Sequence, residues 1–123
     1  MGSAPGVRIK RVYEEASPDD GYRVLVDRLW PRGVSRPRAR LDVWLKEVAP
    51  SDALRHWFGH DPARFTEFAS RYRAELDGSA AFDTLRAIRH DHDTVTLLYG
   101  AKDTEHNQAV VLRDLLTGGE PAD

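Results

Sequence analysis

The chain has 123 residues, no cysteine, a formal net charge of -2 at pH 7, 41% apolar residues and 31% charged residues. Such a length suits a single globular domain, and the missing thiols exclude disulfides, thiolate catalysis and Cys-based zinc sites. No apolar run approaches the roughly 20 residues of a membrane span, and the N-terminus lacks a signal-peptide apolar segment, so a cytoplasmic protein with no membrane partner is expected.

Residues 1–6 are small and rich in Gly and Pro, and are expected to form a flexible N-terminus. Val7 to Tyr13 reads as a first strand. The turn Ser17-Pro18-Asp19-Asp20-Gly21 leads into a second, Tyr22 to Asp27, whose Val24, Leu25 and Val26 suit burial on both faces. The link is too short for a crossover helix, so the two strands are expected to pair as a hairpin or diverge around an edge. Ser35 to Arg40 reads as an irregular basic loop. Leu41, Trp44, Leu45 and Val48 have helical spacing and predict a short helix ended by Pro50.

Ser51 can cap a helix over Asp52 to Phe58, with Gly59 at its C-terminal cap. Asp61-Pro62 opens the clearest helix, its buried stripe formed by Phe65, Phe68, Ala69, Tyr72 and Leu76 and its end marked by Gly78. Ser79 can cap another from Ala80 to Arg89. Thr94 to Tyr99 is a strand, and Thr104 or Asp103 caps a final helix reaching Leu116. Residues 117–123 are expected to form a flexible tail. The pattern predicts one α/β domain over residues 7–116, with a small, mainly parallel sheet of three to five strands flanked by helices.

Chemistry gathers where two strands end. After Val26 come Asp27, Arg28, Trp30 and Arg32; after Tyr99 come Lys102, Asp103, His106 and Asn107. If the strands are parallel neighbours, these groups converge at the carboxyl ends, where α/β folds place ligands. Asp27, Arg28, Trp30, Arg32, Tyr99 and Asn107 are the candidate ligand-binding residues. His106, Asp103 and Lys102 are the catalytic candidates, since imidazole can move protons near neutral pH. A helix N-terminus near Thr104 would favour an anion, and paired arginine donors can grip a carboxylate or phosphate. No cofactor and no metal are expected. His56 and His60 have ligand-like spacing, but Gly59 and Pro62 interrupt their helix, and Gly59-His60-Asp61 reads instead as a turn at the pocket rim. His90-Asp91-His92-Asp93 reads as a polar turn.

The stretch Tyr22-Arg23-Val24-Leu25-Val26-Asp27-Arg28-Leu29-Trp30-Pro31-Arg32-Gly33 resembles the signature of the family catalogued as domain of unknown function 488 (DUF488), in its short, YeaO-like branch. Trp44 to Glu47, Trp57 to Pro62 and Leu97 to Asn107 match further segments in the same order, so the resemblance runs from Val7 to Leu116. At Gly100 alanine is expected in many relatives. The resemblance implies a compact α/β domain with a shared site. It implies no thiol chemistry here and no particular reaction.

Two readings follow. The first is an enzyme or binder for a small anionic or nucleotide-like ligand. The second is a non-catalytic module that binds nucleic acid or a protein partner through the arginine loop, with Arg36, Arg38 and Arg40, and Trp30. The first is preferred, because charge is placed at strand ends rather than spread along one face.

Overall fold

The last strand of the chain forms the middle of the sheet. In the computed structural model, which describes residues 6–118, the strands are β1 (Gly6–Arg11), β2 (Tyr22–Leu25), β3 (Val43–Trp44) and β4 (Thr94–Tyr99), arranged β1-β4-β2-β3 with every pair parallel. β4 pairs along its whole length with β1, from Gly6↔Thr94 to Arg11↔Tyr99, and on its other side with β2, from Tyr22↔Val95 to Leu25↔Leu98. The expected mainly parallel α/β fold is therefore present, as a four-stranded all-parallel sheet. The flexible stretches expected at the termini fall on residues 1–5 and 119–123, outside the described residues; Gly6 already opens β1, and Thr117 closes the last helix.

Alternation along the strands separates two cores. Val24, Val26, Val95, Leu97 and Tyr99 face the larger one. It is covered by α2 (Asp52–Phe58), α3 (Phe65–Leu76), α4 (Ala80–Asp91) and α5 (Gln108–Leu116). Leu25 and Leu98 face a smaller cluster with Val12, Val34 and Ala39, and the partly buried Trp30, Leu41 and Trp44 pack against it. That side is covered by loops and the single turn of α1 (Arg36–Ala39). No helix among the described residues is long and apolar enough to cross a membrane.

The sequence-based boundaries of α2, α3 and β4 match closely, because each carries its own cap or punctuation. Ser51 accepts from the Leu54 amide, Gly59 takes a left-handed φ of 54°, and Asp61 accepts from the Ala63 amide in a 3-10 turn (Pro62–Arg64) leading into α3. Three expectations need correction. Ser35 to Arg40 is not irregular: the Ser35 side chain accepts from the Arg38 amide and starts α1. Leu41 to Val48 is not a helix but β3 followed by a 3-10 turn (Lys46–Val48), because Val43 and Trp44 complete the edge of the sheet beside Val24 and Leu25. β1 and β2 do not form a hairpin. They run parallel on either side of β4, joined by only residues 12–21.

That short passage is held by ionic and hydrogen-bonded contacts at the amino end of β2. Ser17 and Asp20 form a reciprocal capping box around the 3-10 turn Pro18–Asp20. Gly21, with φ 65°, lets the chain cross the start of β4, where a Cβ would run into the Thr94 carbonyl. Asp20 is buried and pairs with both Arg23 and Lys10, the latter at 3.1 Å. Thr96 Oγ1 donates to the Asp20 carbonyl at 2.6 Å, and Arg23 Nη2 donates to the Ala39 carbonyl at 2.7 Å. Burial alone would push the Asp20 carboxyl up, but the Ser17 amide, Lys10 and Arg23 together hold it below its ordinary value.

Arg23→Ala would leave the buried Asp20 only Lys10 and the Ser17 amide, and would free the Ala39 and Arg40 carbonyls, so it should lower stability in urea unfolding by about 3 kcal/mol, the low end for breaking a buried pair. Glu67→Ala, which breaks the exposed pair with Arg71, should cost less than about 1 kcal/mol. Similar losses for the two variants would show that the Asp20 cluster does not hold the β1–β2 passage.

Candidate functional site

β2 and β4 end side by side, and the polar groups that follow them meet at one place. Beyond the ladder the Val26 amide still donates to the Leu98 carbonyl, at 3.0 Å, so the chain is in register as it leaves the sheet at Asp27. The Asp27 carboxylate then spans three segments. Its Oδ2 accepts from the Gly100 amide at 2.8 Å, and its Oδ1 accepts from Gln108 Nε2 at 2.5 Å. The Asp27 carbonyl accepts from Trp44 Nε1 at 2.8 Å. Gly100 suits this approach, since a Cβ there would lie 3.0 Å from Asp27 Oδ2. The alanine expected in relatives would require the carboxylate to shift by a few tenths of an ångström.

Beside Asp27 opens a cleft of about 170 Å³, lined by Asp27, Arg28, Leu29, Ala49, Pro50, Arg55, Phe58, His60, Phe68, Ala101, His106, Asn107 and Gln108. Phe58 and Phe68 stack at 4.3 Å and give it an aromatic floor. Asp27 is the one carboxylate in the lining. Burial pushes it up to about 6, against the opposing pull of the Gly100 amide, Gln108 and the charge of His60.

Arg28 donates through Nη2 to the Ala49 and Pro50 carbonyls, at 3.2 and 3.4 Å. Its Nε is buried with no hydrogen-bond partner among the described residues, and Asp52 Oδ1 lies 3.9 Å away. Asp52 is also 3.4 Å from Arg55 Nη2, so one exposed carboxylate faces both guanidinium groups.

His106 Nδ1 lies 2.8 Å from Asp103 Oδ2, and its ring meets Phe65 edge-on at 5.3 Å. Asp103 also accepts from the Glu105 and His106 amides, at 2.9 and 3.1 Å, closing a turn before the helix. The Glu105 amide foremost, then the His106 side chain, hold the Asp103 carboxyl below its ordinary value. Neither Thr104 nor Asp103 caps α5. Asn107 does, accepting from the Val110 amide at 3.1 Å while its Nδ2 donates to the Asp103 carbonyl at 2.9 Å.

Of the residues expected at this mouth, the fold brings Asp27, Arg28, His106 and Asn107 to the cleft, with Asp103 behind His106. It carries the others elsewhere. Trp30 lies on the opposite face of the sheet, donating to the Val34 carbonyl at 2.7 Å and packing edge-on against Trp44 at 5.3 Å. Arg32 is exposed on that side, its carbonyl accepting from the Tyr13 hydroxyl at 3.0 Å. Tyr99 is a core residue with 2% exposure, its phenol pushed up chiefly by burial. Lys102 is exposed and outside the lining. His60, expected at a turn on the rim, does line the cleft, with a left-handed φ of 59°.

Sequence reasoning missed Arg55, Gln108 and the apolar floor. Arg55 and Phe58 are three apart on α2 and so share a face, which was a usable signal. Gln108 directly follows the cap of α5, a position visible only once Asn107 is known to be that cap. No group of three or more His, Cys, Asp or Glu that could hold a metal occurs among the described residues.

An all-parallel α/β domain with a cleft at its strand ends matches a known family over nearly its whole length. Residues 6–120 match the DUF488-N3i profile, described as the inactive DUF488-N3 subclade, and the chain belongs to the DUF488 family. It is 48% identical over 112 residues to the uncharacterized protein Rv3073c of Mycobacterium tuberculosis (strain ATCC 25618 / H37Rv), covering 91% of this chain and 94% of that one. It is 43% identical over 110 residues to the uncharacterized protein YeaO of Escherichia coli (strain K12), covering 89% and 96%. No solved structure matches the chain significantly.

The raised Asp27 carboxyl has a defined effect on stability. Between the ordinary value of 3.8 and about 6 the folded protein holds a proton that the unfolded chain has released. Stability therefore falls as pH rises through that window and stays lower above it. Asp27→Asn, which keeps the shape and never ionises, should be the more stable protein at pH 8, by up to about 3 kcal/mol. The advantage should vanish near pH 4. Thermal unfolding of both proteins across pH 4–8 checks this, and a constant difference over that range would rule out the shift.

Proposed function

We propose that the protein is a non-catalytic binder of a small oxyanion, a carboxylate or phosphate group carried on a compact apolar or flat body. The observation that carries this reading is Arg28 Nε, a buried guanidinium N–H with no hydrogen-bond partner among the described residues, on a residue that lines the cleft. Such donors are rare in folded proteins, and a bound water or ion is one explanation for them; the other one among the described residues, Arg73 Nε, belongs to a residue outside the cleft lining. Arg55 adds a second guanidinium, and Asn107 and Gln108 place the start of α5 at the same wall, where free N–H groups and the helix dipole favour negative charge. Phe58 and Phe68 supply apolar surface for the rest of the ligand.

Binding without turnover agrees with the description of the subclade as inactive. It agrees also with the placement of the catalytic candidates: Lys102 is outside the cleft, and Asp103 is occupied by two backbone amides as well as by His106. The alternative nucleic-acid or protein module has less support, because two of its arginines are engaged within the fold. Arg36 stacks on Trp30 at 4.3 Å, and Arg38 donates to the Tyr13 carbonyl at 3.2 Å.

Titration calorimetry with sulfate, inorganic phosphate and short carboxylates tests the reading. A saturating ligand at about 100 times its Kd should add about 2.7 kcal/mol of stability, visible as a raised Tm. Arg28→Lys, which keeps the charge but loses the Nε donor, and Arg55→Ala should each weaken binding about tenfold or more, the scale of one lost charge-assisted contact. Oxyanion binding that both variants retain at full strength would place the ligand elsewhere.

A further inference from the structure

The contact between Asp27 and Gln108 limits what the cleft can present. Asp27 Oδ2 is committed to the Gly100 amide, which can only donate. An incoming proton must therefore settle on Oδ1, the atom that faces Gln108 at 2.5 Å. An ionised carboxylate only accepts, so Gln108 must then offer Nε2, the arrangement in this structure, and its Oε1 is left for the other side. A protonated Oδ1 donates, so Gln108 must offer Oε1 instead and its amide must turn over. The carboxamide, with one acceptor end and one donor end, suits either state.

We propose that Asp27 and Gln108 form a proton-operated selector of the ligand, in which protonation of Asp27 turns the Gln108 –NH2 into the cleft and ionisation turns its carbonyl oxygen there. The inference rests on reading the cleft as an anion site. In the protonated state the lining loses its one carboxylate charge and gains a donor, so the anion enters together with one proton. Burial places the Asp27 transition near pH 6, within reach of ordinary changes in acidity.

The other titratable or charged groups facing Asp27 come from several elements. They are Arg28 on its own loop, Arg55 on α2, His60 in the turn after it, Tyr72 on α3, and His106 with its partner Asp103 before α5. Protonation of either imidazole would also favour an anion, so the test must separate Asp27 from them.

Nuclear magnetic resonance of the ligand-free protein reads the switch directly. The Asp27 carboxyl carbon and the Gln108 side-chain amide should titrate together. In Asp27→Asn the Gln108 amide should show no transition, because the introduced carboxamide donates permanently through its –NH2 to Gln108 Oε1. Sulfate, whose charge is constant over pH 5–8, then serves as the binding probe. Its affinity for the wild type should fall by up to about tenfold per pH unit above the Asp27 transition, the limit for one linked proton. Asp27→Asn should bind with the wild type's low-pH affinity throughout.

An Asp27 transition that leaves the Gln108 amide unmoved would overturn the selector, whether or not sulfate binds. So would a pH dependence that survives in Asp27→Asn, which would assign it to His60 or His106. Coupled titration of Asp27 and Gln108 without sulfate binding at any pH would instead overturn the anion reading, and with it the ligand-selecting role, while leaving only the contact between the two side chains.

Discussion

The architecture depends on β4 entering last in the chain between two strands made early. β1 and β2 do not pair with each other; β1 pairs with β4, and β2 lies between β4 and the two-residue edge strand β3. The sheet is thus assembled across more than 60 residues of intervening chain, a contact pattern that makes folding slow and cooperative. At the amino end of the β2–β4 seam, Thr96 donates to the Asp20 carbonyl. At the carboxyl end, the Gly100 amide donates to the Asp27 carboxylate. One tie fixes where the seam begins and the other where it ends.

The two ties use the same residue type with opposite electrostatics. Asp20 faces two cations and a backbone amide, and these outweigh its burial. Asp27 is bonded only to neutral donors. Arg28, the cation next to it in sequence, is turned toward the Ala49 and Pro50 carbonyls and Asp52. Desolvation therefore dominates at Asp27 and is overcome at Asp20. A carboxylate held firmly ionised is a structural fastening. One poised between charge states, at the wall of a cleft, can respond to what enters, and such perturbed groups gather where proteins bind or react.

How much of this was legible in the sequence depended on whether a signal was local. Ser51, Gly59, Asp61 and Ser79 carry their own capping chemistry, and the helices they bound could be read directly. β3 could not. Leu41, Trp44, Leu45 and Val48 have helical spacing, yet Val43 and Trp44 are drawn into the sheet edge by Val24 and Leu25, far away in the chain. The site followed the same rule. Asp27, Arg28, His106 and Asn107 were visible because each lies in the segment that leaves a strand ending at the cleft. Trp30 and Arg32 follow the same strand, but the turn around the buried Pro31 carries the chain to the other face, where Trp30 meets Trp44 and Arg36. Distance along the chain from the strand end did not indicate that change of side.

Arginine shows why composition alone pointed weakly to function. Arg23 is buried and braces the loop that covers the smaller core, through the Ala39 and Arg40 carbonyls. Arg36 lies over Trp30, and Arg38 ties α1 to the Tyr13 carbonyl. That face has few helices to cover it, and guanidinium groups bind loop carbonyls and indole faces where a larger domain would use apolar packing. Arg28 works the same way on the other side through Nη2, but its Nε remains without a partner among the described residues. Arg73 Nε, on α3, is likewise buried without a partner among the described residues, but Arg73 is not part of the cleft lining. It is the position of Arg28, in the wall of a cleft whose one carboxylate has its pKa raised to about 6, that separates this arginine from those that only support the fold.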